Sequence, residues 1–194
     1  MKSTDMRKIV LSGCFMALMA LPAVAQESPK PETPKYDVFA AYGYVRPQGG
    51  QANLSGWQTS FVSNVNNWVG LAVELSGEYG SQTLSVRSPS GAVTSVKADV
   101  SFHSLAFGPR LTYRKNERLM PFAQALFGAA RGNWKRPASI AGEETSLGAA
   151  IGGGFDTKVA EHVSLRIIQA EYLRTNFGVP VKSFRIATGV VVSF

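Results

Sequence analysis

The stretch SFRIATGVVVSF, residues 183–194, ends the chain and decides the fold class. Side chains of a β-strand alternate between two faces. One face of this stretch is bulky and mostly apolar, and it comprises Phe184, Ile186, Thr188, Val190, Val192 and Phe194. The other face is small or polar with one charge, and it comprises Ser183, Arg185, Ala187, Gly189, Val191 and Ser193. The alternation predicts a β-strand with one apolar face.

Similar segments recur along the chain, and they predict eight strands. These cover residues 36–45, 56–64, 68–78, 103–114, 121–132, 146–156, 163–174 and 183–194. About ten residues is the length that a tilted strand needs to cross a bilayer. The connections alternate between short turns and longer loops, and the longer ones are residues 46–55, 79–102, 133–145 and 175–182. This alternation is typical of an up-and-down barrel with short periplasmic turns and long external loops.

The polar faces of the predicted strands carry charged and amide side chains, namely Glu74, Arg110, Gln124, Arg166 and Arg185. Such residues pack poorly as a dry core but suit a polar barrel interior, so the apolar faces should point into lipid. An open sheet edge in lipid would leave backbone groups unpaired, so the sheet must close. We therefore predict an all-β, eight-stranded antiparallel up-and-down transmembrane β-barrel. Those five residues would form a polar network inside it, with Glu74 and Arg110 as a direct pair on neighbouring strands.

The seventh segment departs from simple alternation. Strict alternation beyond Ile168 would turn Gln169 and Glu171 towards lipid. A β-bulge near Ile168 and Gln169 would turn both polar side chains inward instead.

Residues 1–25 read as a cleaved export signal. A basic start is followed by an apolar run over residues 9–21, and Ala23 and Ala25 form a small-x-small cleavage site. Residues 26–35 contain three prolines and read as a flexible leader before a barrel domain at residues 36–194. The alternatives are a retained membrane helix and lipid modification at Cys14. Most of the apolar run follows Cys14, whereas a lipid-modified cysteine would have to follow that run.

Charge and composition bound the possible partners. Charged residues make up 17% of the chain, below the usual quarter, and the net charge is +7. A mildly basic exported protein could contact anionic outer-membrane lipid or lipopolysaccharide. The alternative is a simple balance of surface charge without a partner. No basic helix with an aromatic platform suggests a nucleic-acid partner.

The whole pattern resembles the OmpA-like family of outer-membrane β-barrel domains over residues 36–194. Residues 185–194, with Val190, Val192 and Phe194 on the apolar face, look like the family's C-terminal assembly signal. The stretches FGPR at 107–110 and PFAQALFG at 121–128 also look like family strands. The resemblance implies export to the cell outer membrane and insertion by the barrel-assembly machinery. The chain stops at the barrel, so we do not expect the cell-wall anchoring of longer relatives that carry a peptidoglycan-binding domain.

No constellation of residues indicates catalysis, a cofactor or a metal site. His103 and Ser104 are adjacent in sequence, so they point to opposite faces of one strand and cannot pair as base and nucleophile. Residues 152–154 are three glycines, but the lysine and helix of a phosphate loop are missing, which favours a structural role. Aromatic residues near the segment ends suit interfacial belts or ordinary packing, and these are Tyr36, Trp57, Trp68, Phe122 and Trp134.

The sequence favours a non-enzymatic outer-membrane barrel with a structural or surface-interaction role. Its loops, chiefly residues 79–102 and 133–145, would meet a surface partner that the sequence does not specify. Alternatives are a small porin-like channel, a lipid-modifying enzyme and a soluble lipocalin-like barrel. The narrow interior of eight strands argues against a channel. Release in soluble form would favour the lipocalin-like barrel.

Overall fold

The computed structural model describes residues 33–48, 53–87, 93–116, 118–135, 141–177 and 179–194, with the backbone alone at some outer strand ends. The export signal with Ala23 and Ala25, and the leader up to residue 32, lie outside these residues. Eight strands follow in order: β1 Tyr36–Pro47, β2 Leu54–Asn64, β3 Val69–Arg87, β4 Val93–Thr112, β5 Met120–Lys135, β6 Ala141–Lys158, β7 Val163–Phe177 and β8 Val179–Ser193. Within the described residues, no helix is long and apolar enough to span a bilayer.

The strands form one closed antiparallel barrel in which each strand pairs with the next. The seam joins β1 to β8, where Val38 lies opposite Val192 and Tyr42 lies opposite Thr188. The backbone of Tyr36, the first residue of β1, also exchanges two hydrogen bonds with Phe194, the residue after β8, and these hold the seam at one end. The predicted eight-stranded antiparallel barrel is confirmed.

The outer ends of the strands extend further than the sequence predicted. The predicted loop over residues 79–102 is wrong in most of its length, because β3 and β4 stay paired as far as Arg87 opposite Val93. The predicted loop over residues 133–145 is likewise mostly strand, with Lys135 opposite Ala141. Backbone pairing continues beyond the segments with a regular apolar face, so a criterion based on apolar side chains ended the strands too early.

The apolar side chains lie on the outside of the barrel. Phe107 is 61% exposed, whereas Arg110 on the same strand is 3% exposed. The outer surface carries many more exposed apolar side chains, including Val73, Leu75, Leu105, Leu111, Phe127, Ile151, Leu165, Ile186 and Val190. Inside, five buried apolar residues form a small cluster, namely Val62, Ala72, Leu126, Ala150 and Leu173. A soluble lipocalin-like barrel would have the opposite arrangement, so that alternative is wrong.

A β-bulge interrupts β7 between Arg166 and Gln169. Ile167 and Ile168 are consecutive, yet both are exposed on the outer face, at 52% and 39%. Gln169 and the following odd-numbered residue Glu171 are fully buried inside. The predicted bulge is confirmed, and it gives the interior two polar side chains that regular alternation would have placed in lipid.

The three glycines at 152–154 lie within β6. A Cβ added to Gly152 or Gly154 would collide with a carbonyl oxygen of β7, and one added to Gly153 would collide with a carbonyl oxygen of β5. Glycine therefore allows the neighbouring backbones to approach closely here.

The aromatic residues near the strand ends do not all face outward. Tyr36, Trp57 and Trp68 are about half exposed on the outer surface, as interfacial residues would be. Phe122 was expected among them, but it is 6% exposed and points into the barrel. The side chain of Trp134 lies outside the described residues. Phe122 occupies an inward position of β5 because Phe122, Gln124 and Leu126 share one face.

Candidate functional site

Arg185 holds the first of two charge clusters inside the barrel, the Arg185 cluster, which comprises Arg185, Glu74, Glu78 and Glu171. Arg185 lies on β8, and its guanidinium reaches across the interior to Glu74 and Glu78 of β3. The Nη1 atom is 3.2 Å from Glu78 Oε1, and Nη2 is 2.6 Å from Glu171 Oε2. Nη2 also donates to Glu74 Oε1. One cation therefore serves three buried carboxylates that come from two separate walls of the barrel.

Asp156 holds the second cluster, the Asp156 cluster, which comprises Asp156, Arg110 and Arg166. Arg166 binds the carboxylate with two hydrogen bonds, from Nε to Oδ1 at 2.7 Å and from Nη2 to Oδ2 at 2.9 Å. Arg110 Nη2 lies 3.3 Å from the same Oδ2. Two-point pairing of this kind fixes the orientation of both groups and is stronger than a single contact.

The ring of Phe122 packs against both guanidiniums of the Asp156 cluster. The Cζ atoms of Arg110 and Arg166 lie 3.8 Å and 4.1 Å from its ring centroid. Arg166 also lies 3.9 Å from the ring centroid of Phe39. Stacking against an aromatic ring attracts a cation and fills space that an arginine head alone would leave open.

Three glutamines extend the network, and Gln169 makes the contact that joins the two clusters. Gln124 Nε2 donates to Glu171 at 2.8 Å and to Glu74 at 3.2 Å. Gln169 accepts from Arg166 at 2.5 Å, and its Nε2 lies 3.5 Å from Glu74. Gln58 Nε2 lies 3.4 Å from Glu171. The result is one network of charge-assisted hydrogen bonds that joins both clusters across the barrel interior.

The five polar residues selected from the sequence all face this interior. Glu74, Arg110, Gln124, Arg166 and Arg185 are each at most 5% exposed. The expected direct pair of Glu74 with Arg110 is wrong. In the register of β3 and β4, Glu74 lies opposite Ala106 and Arg110 lies opposite Gly70, so the two residues sit at different levels of the barrel. Glu74 pairs with Arg185 and Arg110 pairs with Asp156 instead.

Sequence reasoning missed Asp156, Glu78 and Gln58 as members of the network. Asp156 is the last residue of a predicted segment and shares one strand face with Gly152 and Gly154. That shared face could have indicated that Asp156 points into the barrel. Glu78 also had the parity of Glu74 on β3. Neither signal identifies the partner, because the contacts run across the barrel between strands that are distant in sequence.

A third group of polar contacts lies at the end of the barrel that holds the chain termini of the domain. Asp37 accepts hydrogen bonds from Arg114 at 2.8 Å, from Asn64 at 2.9 Å and from Ser193 at 2.7 Å. Arg114 also donates to Asn64 Oδ1 at 3.0 Å. These contacts tie β1, β2 and β8 to the turn after β4.

Some buried polar atoms have no protein partner among the described residues. These are Nε and Nη1 of Arg110, Oε1 of Gln124 and Oε1 of Gln58. Arg110 and Gln124 lie opposite each other on β4 and β5.

The described residues do not assemble a nucleophile with a base at the predicted serine and histidine. Ser104 contacts Ser76 inside the barrel at 2.8 Å, whereas His103 Nε2 is hydrogen-bonded to the Tyr79 hydroxyl on the outside at 3.0 Å. No group of three or more His, Cys, Asp or Glu side chains placed to hold a metal ion occurs in the described ranges. What the interior network can do chemically is bind its own strands together and fill the lumen.

Comparisons with known proteins show the fold. No family model and no curated protein matches the chain. Neisserial surface protein A matches with a TM-score of 0.58 at 18% identity, over 82% of this chain and 96% of that chain. Ail of Yersinia pestis, solved with the heparin analogue sucrose octasulfate, matches with a TM-score of 0.54 at 19% identity, over 82% and 96%. The outer membrane protein OprG from Pseudomonas aeruginosa matches with a TM-score of 0.53 at 13% identity, over 83% and 96%.

The fold is that of small outer-membrane β-barrels. Identities of 13–19% carry the fold alone, and the narrower resemblance to the OmpA-like family stays a prediction.

Proposed function

We propose that the protein is a non-enzymatic barrel of the outer membrane, with a structural or surface-interaction role through the outer ends of its strands. The observation that carries this proposal is the filled interior. Arg185 of β8 binds carboxylates from β3 and β7 across the lumen, and the Phe122 ring packs against two guanidiniums. A barrel of eight strands has an interior that side chains alone can fill.

The apolar outer surface supports a place in the membrane. Exposed valine, leucine, isoleucine and phenylalanine side chains surround the barrel, and soluble monomers rarely expose an apolar surface of this extent. Lipid requires every backbone group to be paired within the protein, and closure of β1 onto β8 meets that requirement. The export signal predicted for residues 1–25 would deliver the chain to the periplasm.

The network of ion pairs and hydrogen bonds in the interior favours a non-conducting barrel over the porin-like alternative. The two clusters and their three glutamines span the lumen, where three arginines contact four carboxylates. Opening a path would require the separation of buried ion pairs, which is costly.

The long outer strands support a surface-interaction role. β3 and β4 stay paired to Arg87 and Val93, well beyond the opposed residues Leu75 and Leu105 of the exposed apolar surface. Rigid strands of this kind can present a binding surface above the membrane. The fold serves such a role elsewhere, since one structural neighbour is described as an attachment invasion locus protein.

Three measurements on the full-length chain test the proposal. Cell fractionation and migration on gels before and after boiling should place a heat-modifiable band in the outer membrane. An epitope inserted between β3 and β4 should be labelled on intact cells, whereas the same epitope in the turn at residues 65–68 should be labelled only after the cells are opened. Planar bilayers should show no steady conductance, and labelled phospholipid or lipid A should not be turned over.

Each result has an opposite that overturns part of the proposal. A soluble periplasmic fraction would refute the membrane location. Labelling of the turn and not of the β3–β4 insertion would reverse the orientation. Steady conductance that changes with Arg185→Leu would establish the porin-like channel, and lipid turnover by the purified protein would establish an enzyme.

A further inference from the structure

Three basic residues form a compact patch on the outer wall of the barrel, which we call the basic rim patch: Arg46, Arg174 and Lys182. They lie on β1, β7 and β8, which are neighbours because β8 pairs with both other strands. All three side chains are exposed. The residues that flank Arg46 and Arg174 in sequence are buried, so the two arginines point away from the lumen.

The patch places like charges directly against one another. Lys182 lies opposite Arg174 in the β7–β8 register. Arg46 lies opposite Phe184, so it is the diagonal neighbour of Lys182. Side chains at such positions have Cβ atoms about 5 Å apart when opposite and about 7 Å apart on the diagonal, and like charges there are destabilising. Within the described residues, none of the three forms an ion pair with an acidic side chain.

Aromatic side chains lie directly below the patch, towards the middle of the barrel wall. Tyr44, Phe184 and Tyr172 occupy β1, β8 and β7, with Tyr172 opposite Phe184. They are 44%, 44% and 36% exposed. The next outward residue of β8 is Ile186, which is apolar and exposed. Aromatic girdles of outer-membrane barrels mark the membrane–water interface, so the basic rim patch sits at the level of lipid headgroups.

We propose that the basic rim patch binds the phosphate groups of lipopolysaccharide in the outer leaflet. This inference deepens the proposed function and rests on it for the side of the membrane on which the patch lies. The patch is on the lateral wall, so its occupant must lie beside the barrel. A phosphorylated glycolipid places its acyl chains against Ile186 and the aromatic row while its phosphates meet the three cations. Guanidinium groups bind phosphate oxygens in a two-point geometry, which suits the two arginines.

Two variants are compared, and each loses three positive charges from a different end of the barrel. The test variant is Arg46→Gln/Arg174→Gln/Lys182→Gln. The control variant is Lys35→Gln/Lys115→Gln/Arg118→Gln, whose three residues are exposed at the periplasmic end. Both variants have the same net charge, and all six side chains are exposed, so heat-modifiable migration should report a folded barrel in each case.

The experiment measures binding of lipopolysaccharide to the purified full-length protein in detergent. Each cation near an anionic lipid surface is worth about a five-fold change in affinity, so the test variant should bind on the order of 100-fold more weakly. The control variant should bind within about two-fold of wild type. Chemically dephosphorylated lipopolysaccharide should bind wild type and test variant equally.

Three outcomes would overturn the proposal: equal affinity of wild type and test variant, an equal loss in the control variant, or displacement of the lipid by millimolar inorganic phosphate. The last outcome would assign the patch to free anions. The binding assay is done on purified protein, so it reports on the patch even if fractionation refutes the location in the outer membrane. Failure of this inference and failure of the proposed function can therefore be told apart.

Discussion

Replacement of Arg185 by leucine should destabilise the barrel more than any change to an exposed charge. Arg185 is 1% exposed and is the shared partner of three buried carboxylates, two from β3 and one from β7. Removing one member of a buried ion pair costs about 3–5 kcal/mol because the remaining charge stays buried without its partner. Here the carboxylates keep hydrogen bonds from Gln124, Gln169 and Ser76. We therefore expect about 3 kcal/mol, the lower end of that range.

The free energy of unfolding can be measured by urea titration of the barrel refolded into lipid vesicles, with gel migration as the readout of the folded fraction. The matched control is Arg118→Leu, an exposed residue in the turn between β4 and β5, for which we expect a change within about 0.5 kcal/mol.

A double-mutant cycle separates the charge effect from lost packing. Glu171→Gln removes one of the negative charges that Arg185→Leu leaves unpaired. The double variant should therefore be less destabilised than the sum of the two single variants, by about 1–3 kcal/mol. Strict additivity, or an Arg185→Leu variant as stable as wild type, would refute the account of the interior as a network held by Arg185.

Further predictions concern other parts of the barrel. Phe122→Ala should cost about 3–5 kcal/mol in the same titration, because it opens a cavity between Arg110 and Arg166; a loss below 1 kcal/mol would contradict the packing described for Phe122. Phe107→Arg places a charge in the middle of the lipid-facing band and should cost about 2–4 kcal/mol, whereas Val93→Arg at the outer end should leave stability unchanged. Phe194→Ala should lower the amount of heat-modifiable barrel in cells while the free energy of unfolding of the refolded protein stays close to wild type. A normal amount of folded barrel in cells would contradict a role of Phe194 in the assembly signal.

Much of the fold was predictable because side chains that alternate with a two-residue period mark each strand. The alternation of apolar and small or polar residues in β4 and β8 identified both the strands and the face that looks outward. The short turns predicted at residues 64–67, 115–118 and 158–162 indicated the strand count, and the conflict in alternation at Gln169 predicted the bulge.

The outer strand ends were not predictable by the same rule. The backbones of residues 79–87 and 93–101 are paired, although their sequence lacks the regular alternation that marked the other strand segments. Alternation of side chains predicts strands that have one apolar face. It does not predict backbone pairing where that face is missing.

The partners inside the barrel were predictable in kind but not in detail. Parity placed Glu74, Arg110, Arg166 and Arg185 in the lumen, and the structure brings them there. Which arginine meets which carboxylate depends on the vertical register of strands across the barrel, which single-strand patterns do not contain. Phe122 was assigned to the surface by its position near a strand end, although its parity with Gln124 already indicated the interior.

The bulge in β7 acts as a change of phase within one strand. Residues before Arg166 and residues after Gln169 each alternate regularly, but the two halves are out of step by one position. Deletion of Ile168 would remove the extra residue, so Arg166 and Gln169 would follow one regular alternation and both would still face the interior. A one-residue deletion elsewhere in β7 removes no such extra residue, so it would turn one part of the strand to the opposite face.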